Sequence, residues 1–80
     1  MFGKKSVYRR QFDALEAELK MNLENNYKDL ARDALKNMRA FVEGMELNPE
    51  SFTPKPDPKE IRGFRKIIDT YEQQMKNYHH

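Results

Sequence analysis

The sequence predicts an all-α fold, either a three-helix bundle or a helical hairpin whose third helix follows an extended proline-rich crossover. Three observations predict it. Apolar residues recur at steps of three and four through three stretches of the chain. No run alternates apolar and polar residues as a half-buried strand would. All four prolines gather between Gly44 and Pro58, which sets one helical stretch apart from the other two.

The first helix is expected over 6–24. Ser6 suits the N-cap, because its hydroxyl can accept a backbone N–H of the first turn. Tyr8, Phe12, Leu15, Leu19 and Leu23 then make one apolar stripe. Charged residues take the outer faces, and Glu16 precedes Lys20 by one helical turn in the favourable order. The second helix is expected over 26–43, with a wider face of Leu30, Ala31, Ala34, Leu35, Met38, Phe41 and Val42. Gly44 follows where a C′ glycine would end it. The joint admits two readings. In the favoured one Asn25-Asn26 is a tight turn, with Asn26 capping the second helix and Asp29 at its third position. In the other, Leu23, Tyr27, Leu30, Ala34, Met38, Phe41 and Met45 continue the first stripe into one helix about 57 Å long. A monomer of 80 residues could not bury such a helix, and usual helix lengths favour the turn.

The last helix is expected over 58–77. Asp57 stands at the N-cap, Pro58 at the first position, and Glu60 where its side chain can reach back to the cap. Ile61, Phe64, Ile68, Tyr71, Met75 and Tyr78 alternate steps of three and four, as in a heptad seam. Ile67 widens that seam toward a bundle face. In the linker, 44–57, Asn48 to Ser51 suit one helical turn capped by Asn48. Thr53 to Pro58 read as extended, because a residue before proline is pushed out of the α region. Met45, Leu47 and Phe52 are expected to pin this linker to the core. Its length would let the last helix cross the other two.

The 80 residues carry 15 Lys and Arg against 13 Asp and Glu, a net charge of +2, and suit a single small domain. No stretch approaches the roughly 18 apolar residues of a membrane span. The basic start, Met1 to Ser6, has no apolar run after it, so no secretory leader is expected. The chain has no cysteine, which excludes disulfides, thiolate metal sites and cysteine nucleophiles and fits a cytoplasmic setting. Area scaling puts apolar burial on the order of 125 kcal/mol. Ordering the chain costs about 120 kcal/mol. A monomer is therefore marginal, and association into a homodimer is expected.

Catalytic chemistry finds little to work with. The only histidines are His79 and His80 at the end of the sequence, where no third group would hold a general base in place. The pair reads as a loose tail, not a metal site. No Glu-x-x-His pair projects from a helix, and Glu43, Glu46 and Glu50 lack the spacing of a calcium loop. Asp29 and Asp33 are interleaved with Lys28, Arg32 and Lys36, the pattern of a solvated mixed-charge face. Gly3, Gly44 and Gly63 are isolated, so no phosphate cradle is spelled out. No enzyme activity, cofactor or metal is expected.

Two binding readings remain. Tyr, Phe, Met and Arg are the types enriched at interface cores, and the chain holds four Tyr, five Phe and five Met. The favoured reading is a small helical module that binds another protein, or a second copy, through Phe64, Ile68, Tyr71, Met75 and Tyr78. The second reading is a nucleic-acid-associated regulator. Lys28, Arg32, Lys36 and Arg39 make a basic stripe, Arg62 and Lys66 add cations on the last helix, and Lys4, Lys5, Arg9 and Arg10 gather at the N-terminus. Acids accompany every one of these groups. The proline run is spaced P-x-P-x-P, unlike the P-x-x-P that aromatic grooves read. Membrane-surface binding is not expected, because the basic N-terminal stretch reads as a solvated helix start.

Overall fold

The computed structural model describes residues 6–76. They form three helices, α1 (Val7–Glu24), α2 (Lys28–Leu47) and α3 (Pro58–Lys76), with one 3₁₀ turn at Pro49–Ser51. No strand occurs among the described residues. The expected all-α class and the helical bundle are therefore what the chain adopts.

α1 begins as its sequence suggests. Ser6 is extended and its Oγ accepts the Arg9 N–H at 3.3 Å. The helix ends in a left-handed stop. Asn26 has φ 61°, its N–H donates to the Leu23 carbonyl at 3.1 Å, and the Tyr27 N–H donates to the Asn22 carbonyl at 2.8 Å. Asn tolerates this backbone region better than any other residue except glycine. The turn reading is right, and the single long helix is excluded. Asn26, however, closes α1 and does not cap α2. The N-cap position of α2 falls to Tyr27, which makes no side-chain cap bond. The helix consequently starts at Lys28, two residues later than expected, with Asp29 at its second position. The acid there still faces the positive end of the helix dipole.

α2 does not stop at Gly44. It runs to Leu47, and the Asn48 N–H donates to the Gly44 carbonyl at 2.8 Å. Burial decides this. Glycine inside a helix costs about 0.5–1 kcal/mol relative to alanine. One more turn puts Met45 into the core at 0 % exposure, and burying a side chain of that size contributes about 1.5–3 kcal/mol. Leu47 points out at 79 % exposure and pins nothing. Leu30, expected on the buried face, is also half exposed. The linker is held instead by buried Pro56 and by Phe52. The Phe52 ring meets Tyr8 edge-on at 6.2 Å and Phe41 at 5.8 Å. Asn48 precedes the 3₁₀ turn without a side-chain cap bond.

α3 is capped by Asp57, whose Oδ1 accepts the Lys59 N–H at 2.9 Å. Glu60 does not reach back to the cap. Its carboxylate accepts the Tyr8 hydroxyl at 2.5 Å and lies 3.7 Å from the Arg9 guanidinium. A tertiary partner thus displaces the local one.

These contacts give the topology. Tyr8 meets Glu60, Phe12 meets Phe64, and Glu16 meets Tyr71, so α1 and α3 run parallel. Arg39 pairs with Glu72 and Glu46 with Arg65, so α2 runs antiparallel to α3. α2 packs directly on both neighbours, whereas no Cα of α1 lies within 8 Å of one in α3. Ala31 and Ala34, buried on α2, allow its close approach. Between α1 and α3 the gap is filled by rings. Phe12 and Phe64 lie 4.2 Å apart with planes tilted by 30°, and Tyr8 stands edge-on to Phe64 at 6.4 Å. Leu19, Leu35, Met38, Val42 and Ile68 complete the interior. Asn22 is the one polar residue among those buried.

Replacing Phe64 with alanine is expected to lower stability by about 3–5 kcal/mol, read by urea unfolding, because it opens the gap that only rings fill. Gly44→Ala should raise it by about 0.5–1 kcal/mol, since a Cβ there would meet nothing within 4 Å.

Candidate functional site

The apolar stripe of α3 is not a surface. Phe64 and Ile68 are each 1 % exposed and Tyr71 is 8 % exposed, all in the core of the single chain. Met75 is partly buried and packs against that core. Tyr78 lies outside the described residues. The partner surface expected on this face is therefore covered by α1 and α2.

The basic residues are dispersed. Arg32 pairs with Asp29 at 3.4 Å on the outer face of α2, and Arg39 turns toward α3 to pair with Glu72 at 2.6 Å. Lys28 is half-buried and Lys36 exposed. Arg62 and Lys66 are exposed at the other end of the bundle. With Glu46 level with Arg65, Arg32 and Arg62 stand on the order of 25 Å apart along the helix axes. The six cations do not form one phosphate-tracking surface.

The structure assembles a different feature that the sequence patterns did not disclose. Where the end of α2, the 3₁₀ turn and the start of α3 meet, a groove of about 460 Å³ opens. Met45, Pro49, Pro56 and Ile61 give it apolar walls, and Lys55, Arg62 and Glu46 stand around it. Three local choices create it. α2 passes through Gly44 and so delivers Met45. The expected extended run is not kept whole, since residues 52–54 bend, with a cis Thr53–Pro54 bond, and only 55–57 run without regular structure before α3. Pro56 among them is buried. Beside the groove, and sharing Arg62 with it, a second hollow of about 450 Å³ lies over Gly63, bounded by Lys59, Lys66, Arg65 and Asp69. Gly63 sits mid-helix on the exposed side, and a Cβ there would meet nothing within 4 Å. A hollow of about 580 Å³ at the first turn is bounded by the five consecutive residues Asn26–Leu30.

Charge on this face is unbalanced by design of the pairing. Glu46 holds Arg65 through two bonds of 2.5 and 3.1 Å. Asp57 is engaged at the helix cap, and Glu60 is turned toward α1. Lys55, Lys59, Arg62 and Lys66 are all exposed, and none makes an ion pair with a described residue. Asp69 borders the hollow, and Asp69 and Glu43 both act on Arg65. The Arg65 guanidinium holds the Glu46 carboxyl below its ordinary value of 4.5. At the other side of the bundle the Tyr8 phenol is raised above 10.0, first by its bond to Glu60 and then by burial. The Tyr71 phenol is raised further, by burial and then by Glu16.

Among the described residues no group of three or more His, Cys, Asp or Glu could hold a metal ion. No described helix is long and apolar enough to cross a membrane. No family model, curated protein or solved structure matches this chain.

The Glu46–Arg65 pair makes stability pH-dependent in a definite direction. A carboxyl lowered on folding stabilises above its unfolded value of 4.5 and loses that contribution as pH falls through the lowered folded value. The stability difference between the parent chain and Glu46→Gln should therefore be present at neutral pH and vanish in acid, as read by thermal unfolding across pH. Tyr71→Phe should cost about 1 kcal/mol below pH 10, because its hydroxyl donates to Glu16 at 2.9 Å.

Proposed function

We propose that this chain is a non-catalytic protein-interaction module that receives a segment of another protein in the groove between α2 and α3. The observation that carries the reading is one place where apolar walls and unpaired cations coincide on a self-contained bundle. Burial of a side chain against Pro49, Pro58 and Ile61, the apolar lining that solvent still reaches, would supply affinity. Cations around the groove would raise the association rate and select the partner. Bundle helices hold the walls in place, which keeps the entropy cost of binding low.

The stripes that favoured a homodimer lie inside one chain, so the groove is assigned to a different protein. Nucleic acid is the weaker alternative. The groove lacks an exposed aromatic ring on which a base would stack.

A random display library of peptides selected against the folded chain tests the proposal. Selected peptides should shift the amide resonances of Met45, Lys55, Ile61 and Arg62 and leave those of Arg10 and Ala17, exposed on α1, in place. Binding of a single-stranded or duplex oligonucleotide to the same residues, with affinity falling steeply in salt, would support the nucleic-acid alternative instead.

A further inference from the structure

Resting on that reading, we infer that the groove takes an acidic segment of another protein, in which one bulky apolar side chain is followed by carboxylates at alternate positions. The apolar side chain seats against Pro49, Pro58 and Ile61, and the carboxylates meet Arg62 and Lys66.

The charge balance of the face carries the sign. Lys55, Lys59, Arg62 and Lys66 stand exposed around the groove and the hollow beside it. Against them are three acids, Asp57 at the cap of α3, Asp69, and Glu43, which acts with Asp69 on Arg65. Glu46 is neutralised by Arg65. Partners with negative charge are drawn in, and those with positive charge meet like charge.

Spacing supplies the pattern. Arg62 and Lys66 are one helical turn apart, a rise of about 6 Å. In an extended segment, side chains two residues apart point the same way at about 6.8 Å. Carboxylates at alternate positions would meet both cations from one face of such a segment. A duplex backbone is rigid and regular and has nothing to insert between Pro49, Pro58 and Ile61, whereas a peptide has side chains that do.

Gly63 is a second, independent observation. It lies between the cations, in the interior of a helix where glycine is unfavourable. Nothing in the chain's own packing requires it, because a Cβ would meet open space. A bare backbone at this point lets an incoming main chain lie close to α3 between Arg62 and Lys66.

The test uses the full chain and three synthetic peptides of twelve residues. One carries a single Phe followed by alternating Glu, one has each Glu replaced by Gln, and one has the Phe replaced by Ala. Calorimetric titration should show the first binding at least tenfold more tightly than either control. Arg62→Glu and Lys66→Glu, both exposed, should each weaken it tenfold or more with the helical circular dichroism unchanged. Arg62→Gln provides the milder variant should charge reversal disturb the fold. Gly63→Ala should weaken binding several-fold while raising thermal stability, a split that a purely structural glycine would not produce. Equal affinity for the Glu and Gln peptides overturns the acidic partner. Selected library peptides that occupy the groove but carry no acids overturn this inference and leave the interaction reading standing. Failure of every peptide to reach the groove overturns both.

Discussion

The bundle depends on a row of aromatic rings between two helices whose backbones do not touch. α1 and α3 run parallel on either side of the space in front of α2, and no Cα of one lies within 8 Å of the other. Phe12, Phe64 and Tyr8 bridge that distance because only rings are large and stiff enough to fill it without many frozen torsions. Their polar ends are met in turn. Tyr8 donates to Glu60 and Tyr71 donates to Glu16, and Arg9 lies over the Phe64 ring at 5.2 Å. Without the rings α1 and α3 would lose their direct apolar packing. The same row explains why the heptad-like stripe of α3 turns inward, since its Phe64 packs against Tyr8 and Phe12 of α1.

A second consequence follows from α2, which packs on both neighbours. Its two buried alanines let α1 and α3 approach it closely, and its last turn lengthens the core to include Met45. That extra turn moves the start of the linker and requires the chain to double back. The linker bends at 52–54 and then passes through buried Pro56 to the start of α3 at Pro58, and a trough opens beside it. The candidate site is thus a by-product of how the helices end. Its cations are unpaired for the same kind of reason. Glu60 and Glu46, which could have balanced them, are drawn into contacts with Tyr8 and Arg65.

Much of the fold was legible in residue order. Ser6 and Asp57 cap the helices that follow them, because such caps are local and need only the next turn of backbone. The stripes of the three helices together name most of the core. Asn25-Asn26 marks a turn, although assigning Asn26 to the start of α2 missed that its left-handed backbone belongs to the stop of α1. Gly44 was misread because glycine is a stop signal only when no further burial is available beyond it. Leu47 and Leu30 were misplaced for the converse reason, since an apolar residue can be spared from the core when nearer ones fill it. The partner surface was the least legible feature. A stripe that ends inside and a stripe that ends outside have the same spacing, and the groove draws on residues from three separate elements.

The sequence by itself determined the helical class, the caps at Ser6 and Asp57 and the proline-rich break before the last helix, and it favoured the turn after α1. Each of these rests on interactions within a few residues along the chain. Only the tertiary structure decided which face of α3 is buried, which acids pair away from the cations, and that Met45, Pro56, Ile61 and Arg62 meet around one groove. Those outcomes are set by competition among residues far apart in the chain for the same space and the same charges, and no local pattern records who wins.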